Sequence, residues 1–181
     1  MPTVAIIGAG PLGRWLAMSA ARAGYSVLLE DVMPASLHHA QEALRAILGP
    51  EALPNLRFVS TIEDAVRDAD LAIDCVPDEL ESKLEILWLL DRMAPPRTVL
   101  ATPTIRLSIA DLANCTYRPD KCIAIAAEAS SLTAGAAAEI LLRTTSRTTP
   151  GTIALVDDFC RKLGFNPAFA PDPAEQLTPG P

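Results

Sequence analysis

Aromatic side chains are scarce in this chain, at 4% of 181 residues, although half of the residues are hydrophobic. Any core must therefore be built mainly from Ala, Leu, Ile and Val. The length allows one good core and is short for two domains of ordinary size, so we expect a single domain.

Excess basic charge and long apolar runs are also missing. The chain has 15 Lys and Arg residues against 22 Asp and Glu, a net charge of −7, which disfavours binding to nucleic acid or to an anionic membrane. No apolar run approaches the roughly twenty residues of a membrane-spanning helix, and no basic leader precedes the apolar segment Val4–Ile7. We therefore expect a soluble, cytoplasmic protein whose partner is a small molecule or another protein.

Cysteines in metal-binding or disulfide patterns are missing as well. Cys75, Cys115, Cys122 and Cys160 lie far apart in apolar stretches, without a C-x-x-C pair and without a nearby histidine. This spacing supports neither a disulfide framework nor a zinc site. We expect buried free thiols and no metal.

What the sequence does contain is an alternation of short apolar runs with longer segments of helical period, which is typical of β-α-β units. It predicts an α/β fold of the Rossmann type, doubly wound, with a mostly parallel sheet and helices on both faces. The predicted strands are Val4–Ile7, Ser26–Glu30, Arg57–Val59, Leu71–Cys75, Val99–Thr102, Cys122–Ala126 and Ile140–Arg143. The predicted helices are Leu12–Ala23, Pro34–Leu48, Thr61–Arg67, Glu79–Met93 and Pro150–Leu163.

Capping residues and prolines set the expected boundaries. Thr61 with Asp64 resembles a capping box, and Thr149 precedes Pro150 at the start of the last helix. Beyond Asn166 the periodicity ends, and four prolines among the last eleven residues predict an extended or loosely ordered tail. We therefore expect a domain over residues 1–170 and a Pro-rich tail over residues 171–181.

A glycine-rich turn follows the first predicted strand. Gly8, Gly10 and Gly13 form the pattern G-x-G-x-x-G between a strand and a helix. The first glycine permits a tight turn, the second lets backbone approach a pyrophosphate, and the third lets the helix pack closely on the strand. Pro11 and Leu12 open the helix, whose N–H groups and partial positive charge favour phosphates.

An acidic residue after the second predicted strand supports a dinucleotide site. Asp31 follows Gly13 by 18 residues, where a carboxylate accepts hydrogen bonds from the adenosine ribose hydroxyls. Its charge disfavours a 2′-phosphate, so the predicted cofactor is NAD rather than NADP. The alternatives are a glycine-rich turn with a capping Asp31 and no ligand, and a site that has lost its affinity.

Several motifs together resemble one family. They are V-A-I-I-G-A-G-P-L-G from Val4, A-D-L from Ala69, V-P-D-E-L-E-S-K from Val76, L-D-R-M-A-P-P from Leu90, L-S-I from Leu107 and R-P-D-K from Arg118. Over nearly its whole length the chain is similar to the NAD-binding domain of 3-hydroxyacyl-CoA dehydrogenases. The resemblance implies that Val76, Asp78 and Lys83 contact the cofactor. The alternative for Lys83 is a solvated lysine on a helix surface.

The catalytic histidine of that family is not matched. In the family it takes the proton from the 3-hydroxyl while hydride passes to nicotinamide, and a glutamate polarises it. The aligned position is Ala126 when counted from Arg118, or Ala127 when counted from Glu139, the best match for the glutamate. We therefore predict no catalytic residue.

Other family features are missing too. The only histidines, His38 and His39, lie in the helix after Asp31 and are interpreted as surface residues. The family's Asn-Thr-Ser-Ser segment, which holds nicotinamide and substrate, appears here as Pro-Thr-Ile-Arg over residues 103–106. The family's helical domain of roughly a hundred residues has no counterpart in this sequence.

Three functions follow as hypotheses. The first is an NAD(H)-binding protein that does not catalyse the family reaction unaided, and the second is an NAD-dependent oxidoreductase acting on a hydroxyacyl-CoA or another hydroxy acid. The second would use polar groups from Glu128, Ser130, Ser131 or Thr104. The third is an interaction module without a nucleotide.

An exposed apolar surface is expected where the family's helical domain would lie. Apolar segments around Ile105, Leu107, Ile125–Ala127 and Leu132 would face water there unless another surface covers them. We expect a homodimer or a protein partner to cover this face, and the alternative is that the tail folds back over it.

Overall fold

The computed structural model describes residues 1–48, 54–127, 132–133 and 139–176. Its strands are β1 (Thr3–Ile7), β2 (Ser26–Glu30), β3 (Leu56–Val59), β4 (Leu71–Asp74), β5 (Val99–Pro103), β6 (Cys122–Ala126), β7 (Glu139–Thr144) and β8 (Asn166–Pro171). Its α-helices are α1 (Pro11–Arg22), α2 (Pro34–Leu48), α3 (Ile62–Val66), α4 (Leu80–Met93), α5 (Ile109–Ala113), α6 (Pro150–Lys162) and α7 (Pro173–Gln176).

The eight strands form one sheet in the order β3-β2-β1-β4-β5-β6-β7-β8. All neighbours are parallel except β6 and β7, which are antiparallel. The order reverses between β1 and β4, and in open α/β sheets ligands bind at the carboxyl ends of the strands beside such a point. The predicted doubly wound, mostly parallel fold is confirmed.

The sheet separates two aliphatic cores, one on each face. On one face α1, α2 and α6 contribute Leu16, Leu44 and Phe159, and on the other α3, α4 and α5 contribute Val66, Leu90 and Leu112. The central strands are buried on both faces, which explains why their sequences are continuous apolar runs without alternation.

The two capping predictions are confirmed. The Thr61 hydroxyl accepts a hydrogen bond from the Asp64 N–H at 3.2 Å at the start of α3, and the Thr149 hydroxyl accepts one from the Thr152 N–H at 3.3 Å at the start of α6. Each cap satisfies a donor that the first helical turn leaves without a partner.

The segment after Asn166 is more ordered than its prolines suggested. It forms the edge strand β8 and then α7, and the Asp172 side chain between them is fully buried. Its carboxylate accepts hydrogen bonds from the N–H groups of Ile109 at 2.5 Å and Ala174 at 2.8 Å. Prolines are tolerated there because an edge strand needs backbone donors on one side only.

The cysteines are free thiols, as expected. Cys122 and Cys160 are buried, while Cys75 and Cys115 are half-buried. Burial raises the pKa of Cys122 to about 11 and the pKa of Cys160 to about 12, so both thiols stay protonated at neutral pH.

The expected exposed apolar surface is largely missing, so that expectation is wrong for most of its residues. Ile125 and Leu132 are each 2% exposed and belong to the core on the α1 face. Leu107 is half-buried against the other core, and Ile105 alone of these apolar side chains is clearly exposed, at 38%. In the described part of the chain, no helix has the length and apolar character needed to span a membrane.

Candidate functional site

A cleft of about 860 Å³ lies at the carboxyl ends of the central strands. The turns after β1, β2, β4, β5 and β6 all contribute to its walls, which places it at the point where the strand order reverses. Of the sequence-predicted site residues, it is lined by Gly8, Gly10, Pro11, Leu12, Asp31, Val76 and Asp78.

The three glycines of the turn differ in their steric surroundings. Gly8 has φ +107°, a conformation that side chains rarely adopt. A Cβ on Gly13 would lie 1.8 Å from the Gly8 carbonyl oxygen, so α1 can approach β1 only because Gly13 has no side chain. A Cβ on Gly10 would meet nothing within 4 Å, so this backbone faces open space in the cleft.

The N-terminus of α1 is suited to an anion. Gly10 occupies the N-cap position, no side chain caps the helix, and Pro11 starts its first turn. The free N–H groups of that turn therefore point toward the cleft, where the helix dipole adds partial positive charge. A dinucleotide pyrophosphate fits this donor set.

Asp31 connects the glycine turn to the end of β2. Its Oδ2 accepts a hydrogen bond from the Ala9 N–H at 2.9 Å, and its Oδ1 accepts one from the Met33 N–H at 2.8 Å. Each carboxylate oxygen has a second lone pair for a ribose hydroxyl. The structure thus brings the predicted ribose acceptor and the predicted phosphate turn within one hydrogen bond of each other.

Glu30, which the sequence analysis did not single out, lies directly before Asp31 and is 3% exposed. Burial, with a smaller effect from the neighbouring charge of Asp31, raises the pKa of Glu30 to about 7. Its main chain also supports the turn, since the Glu30 carbonyl accepts a hydrogen bond from the Gly8 N–H at 2.8 Å. Glu30 could have been identified from the sequence, because it is an acidic residue at the end of an apolar predicted strand.

At the other end of the cleft, Asp78 joins the turn after β4 to the turn after β5. Its Oδ1 accepts a hydrogen bond from the Thr104 hydroxyl at 2.5 Å, and its Oδ2 accepts one from the Ile105 N–H at 3.4 Å. Thr104 is 1% exposed and also lines the cleft. Asp78 therefore fixes the loop that the sequence analysis compared with the family's serine segment.

Lys83 does not line the cleft. Its side chain is fully buried, and Nζ lies 3.1 Å from Oδ1 and 3.2 Å from Oδ2 of Asp74, which is also fully buried. The solvated-lysine alternative is therefore wrong. The predicted contact between Lys83 and a cofactor stays a prediction, and this arrangement disfavours it.

The Asp74 carboxylate is surrounded by donors. It accepts hydrogen bonds from the Thr102 hydroxyl at 2.6 Å and from the Val76 N–H at 3.2 Å, in addition to Lys83. Burial raises the pKa of Asp74, and the Lys83 charge and the Thr102 hydroxyl oppose that shift. Through Val76 this buried group supports the turn after β4 that lines the cleft.

The two alanines at the expected histidine position differ in their surroundings. Ala127 lines the cleft and Ala126 does not, so the alignment counted back from Glu139 places the family's histidine position at the alanine of the cleft wall. Glu139 itself is an exposed residue at the start of β7. The candidate polar residues Glu128, Ser130 and Ser131 lie outside the described residues.

A family model described as "3-hydroxyacyl-CoA dehydrogenase, NAD binding domain" matches residues 3–172. The chain belongs to this family. The resemblance stated from the motifs is thereby confirmed, and NAD is the cofactor of the domain.

Relatives with assigned activities support the same family. A probable 3-hydroxybutyryl-CoA dehydrogenase of Bacillus subtilis is 30% identical over 133 residues, covering 66% of this chain and 46% of that protein. L-carnitine dehydrogenase of Burkholderia mallei is 37% identical over 131 residues, covering 67% of this chain and 40% of that protein. The structure of a 3-hydroxybutyryl-CoA dehydrogenase from Escherichia coli superposes with a TM-score of 0.83 at 25% identity, covering 94% of this chain and 38% of that one. The chain spans about half the length of the curated relatives it matches.

Within this NAD-binding domain, the cleft includes four polar side chains that were not predicted as ligand-binding from the sequence. Arg14 and Ser36 line the end of the cleft beside Asp31 together with His39, which had been interpreted as a surface residue only, and Arg106 lines the opposite end. The positions of Arg14 and Ser36 in the first turns of α1 and α2 were a usable signal, because helix starts after parallel strands face the ligand.

Proposed function

We propose that this chain binds NAD(H) in the cleft at the carboxyl ends of β1, β2, β4 and β5. Gly8, Gly10, Pro11 and Leu12 surround the pyrophosphate, and Asp31 accepts hydrogen bonds from the adenosine ribose. Val76 and Asp78 lie toward the nicotinamide. When bound, NAD⁺ supplies a hydride acceptor.

Two predicted cofactor residues take supporting roles in this proposal. Gly13 lets α1 approach β1, and Lys83 acts through Asp74 on the turn at Val76. Neither needs to touch the nucleotide, because one lies behind the glycine turn and the other is buried beneath the β4 turn.

The hydrogen bond from the Ala9 N–H to Asp31 is the observation that supports the proposal most directly. It ties the phosphate-binding turn to the ribose-binding carboxylate, so both parts of adenosine diphosphate meet prepared groups. The Asp31 charge would repel a 2′-phosphate, which favours NAD over NADP.

Titration of NADH by fluorescence tests this proposal. Gly10→Val places a branched side chain in the open space that backbone and pyrophosphate would share, so binding should fall at least a hundredfold, about 2.7 kcal/mol, while the chain stays folded. Gly151→Val is the control, because Gly151, near the start of the long helix α6, likewise has nothing within 4 Å of its Cβ position.

Asp31 is tested by exchanging its charge. Asp31→Arg should lower NADH affinity and shift preference toward NADPH, because a guanidinium suits a phosphate where the carboxylate suited hydroxyls. Unchanged NADH affinity in Asp31→Arg, or full binding by Gly10→Val, would contradict the proposed site.

We propose further that the chain does not oxidise 3-hydroxyacyl-CoA unaided. Ala127 faces the cleft where a general base would have to stand, and a base contributes about a hundredfold to ten-thousandfold to such a reaction. Incubation of the purified chain with 3-hydroxybutyryl-CoA and NAD⁺, monitored by NADH absorbance, should show no turnover. Steady turnover would replace this proposal with an active dehydrogenase.

A second candidate function is an NAD-dependent oxidoreductase acting on a different hydroxy acid. It is favoured by the Thr104 hydroxyl and the Asp78 carboxylate, which are hydrogen-bonded at 2.5 Å within the cleft. A panel of small hydroxy acids assayed with NAD⁺ separates this function from cofactor binding alone.

The oligomeric state of the chain is also part of the proposal. We propose that a second copy or a protein partner covers the cleft mouth at Ile105, which is 38% exposed beside the cleft. Light scattering should give a mass above 19.2 kDa that falls toward this value in Ile105→Asp.

Four free thiols support a cytoplasmic location, because thiols persist in that reducing compartment.

A further inference from the structure

Arg106 presents a guanidinium in the cleft with most of its donors unused. It lies in the loop after β5, is exposed, and lines the cleft beside Thr104. Its Nη2 donates one hydrogen bond, to the Asp78 carbonyl oxygen at 3.3 Å. Among the described residues, no carboxylate lies within 4.0 Å of it. A guanidinium has five N–H donors in a planar fork, so donors remain for a ligand.

Arg143 supports the same loop from β7. Its Nη1 donates a hydrogen bond to the Ile105 carbonyl oxygen at 3.1 Å, directly before Arg106 in the chain. Within the described ranges it too forms no ion pair. The Asp78 carboxylate beside this loop accepts hydrogen bonds from Thr104 and from the Ile105 N–H. Arg106 therefore brings a positive charge to this end of the cleft, while the Asp78 carboxylate is occupied by hydrogen bonds within the protein.

We propose that Arg106 binds the carboxylate of a small hydroxy or oxo acid at this end of the cleft, and that Arg143 is a positioning residue for the loop. This inference rests on the proposed binding of NAD(H) in the same cleft. The planar fork matches a carboxylate through two parallel hydrogen bonds. The Thr104 hydroxyl, two residues away, donates to Asp78 at 2.5 Å and accepts a hydrogen bond from the Leu107 N–H at 3.1 Å, so it fixes the loop that carries Arg106.

A free carboxylate fits this position better than an acyl-CoA. The acyl end of a thioester is uncharged, and the phosphates of CoA are many bonds away from it. A cation in the cleft beside Thr104 therefore has no anionic partner on the reacting end of a thioester. The Arg106 position thus predicts a substrate with its own charge close to the reacting carbon.

The test uses two probes that differ only in charge, 3-hydroxybutyrate and its neutral amide, 3-hydroxybutyramide. Each is titrated by calorimetry into the chain saturated with NADH, where no hydride can leave the probe. Hydrogen bonds to a charged group are worth about 1.5–3 kcal/mol, so the carboxylate should bind about tenfold to a hundredfold tighter than the amide.

Three variants locate the effect. Arg106→Gln should remove the preference for the carboxylate, and Arg106→Lys should keep part of it, because the charge remains and the fork is lost. Arg57→Gln makes the same charge change at an exposed position of β3 and should leave both affinities unchanged. NADH affinity, measured separately by fluorescence, should be the same in all three.

Each contrary outcome has its own meaning. Equal affinity for the two probes, no saturable binding of 3-hydroxybutyrate, or unchanged carboxylate binding in Arg106→Gln would overturn the proposal. Loss of NADH affinity in Arg106→Gln would overturn the proposal and assign the guanidinium to the cofactor. A parallel titration of 3-hydroxybutyryl-CoA completes the test: if Arg106→Gln weakens binding of the thioester but not of 3-hydroxybutyrate, the guanidinium binds CoA phosphates and the proposal is overturned. If even the unmodified chain fails to bind NADH, the cofactor proposal fails, and titration without cofactor still decides the role of Arg106.

Discussion

The two ends of the cleft are built in different ways. The end beside Asp31, where we propose that adenosine binds and which we call the adenosine end, is built mainly on one continuous β1-α1-β2 unit, and its proposed cofactor contacts are the backbone of the Gly8–Gly13 turn and the Asp31 carboxylate. The opposite end is assembled from separate turns after β4, β5 and β6, and its contacts use the side chains of Asp78, Thr104 and Arg106.

This difference explains which family features the chain has kept. A backbone site depends on steric requirements at particular positions, as at Gly13, where a Cβ would lie 1.8 Å from the Gly8 carbonyl oxygen. A side-chain site depends on groups that can be exchanged without loss of the fold. Alanine stands at the expected histidine position, and Arg106 occupies the former serine segment, while the sheet beneath both is intact.

The largest effect on stability is expected at the adenosine end, for Gly13→Ala. The added methyl group would overlap with backbone, which cannot move aside as a flexible side chain does, so overpacking should cost about 3 kcal/mol of unfolding free energy. Urea denaturation followed by circular dichroism measures this loss.

Gly10→Ala is the matched control within the same turn. Gly10 has φ −66° and nothing within 4 Å of its Cβ position, so alanine should change the unfolding free energy by less than about 1 kcal/mol. Equal stability of the two variants would show that a side chain at Gly13 meets no steric obstacle, which would contradict the close approach of α1 to β1.

At the opposite end, the buried ion pair of Lys83 and Asp74 supports the turn after β4, and its disruption should have the next largest effect on stability. Lys83→Met leaves the Asp74 carboxylate buried without its cation, and breaking such a pair costs about 3 kcal/mol or more. Urea denaturation again gives the measurement.

The double variant Lys83→Met/Asp74→Asn provides the control. The amide oxygen of Asn can replace Oδ1 and accept the hydrogen bond from the Val76 N–H, while its NH2 group can replace Oδ2 and donate to the Thr102 hydroxyl, and no unpaired charge remains. Most of the lost stability should return. A double variant no better than Lys83→Met would mean that packing of the lysine stem, rather than its charge, supports the turn.

These contrasts also show what could be predicted from the sequence. Strands β1 to β7 and the glycine turn follow from local periodicity and from glycine spacing, both readable within short windows. The burial of Lys83 was not readable, because its partner Asp74 precedes the helix and both charges look solvated on propensity alone. Strand β8 was missed because its prolines are acceptable only at a sheet edge, which is a property of the whole fold.

Glu30 gives a smaller, pH-dependent test at the adenosine end. Its pKa rises from 4.5 to about 7 on folding, mainly through burial. Between these values the folded chain holds a proton that the unfolded chain releases, so wild-type stability falls as the pH rises through this window and stays lower above it.

Glu30→Gln removes this dependence. Relative to the wild type, the variant should gain about 2 kcal/mol of unfolding free energy between pH 5 and pH 8, less than the full shift implies because solvent screens part of the charge. Glu85→Gln removes one charge from an exposed position of α4 and controls for net charge. A wild-type and variant difference that is constant with pH would contradict the raised pKa of Glu30.

The smallest effect is expected at Ala127, where adding a histidine should not produce dehydrogenase activity. Ala127→His places an imidazole in the cleft, whereas Ala126→His places one outside it. Neither variant should oxidise 3-hydroxybutyryl-CoA with NAD⁺ in an NADH absorbance assay. A base is effective only when a second group orients it and the substrate is held in line. Glu139, the expected orienting carboxylate, is exposed at the start of β7, and Arg106 stands in the segment where the family holds its substrate. Turnover by Ala127→His but not by Ala126→His would contradict this prediction. It would show that the end of the cleft formed by the turns after β4, β5 and β6 lacks only its base, so that both ends of the cleft would have kept their function.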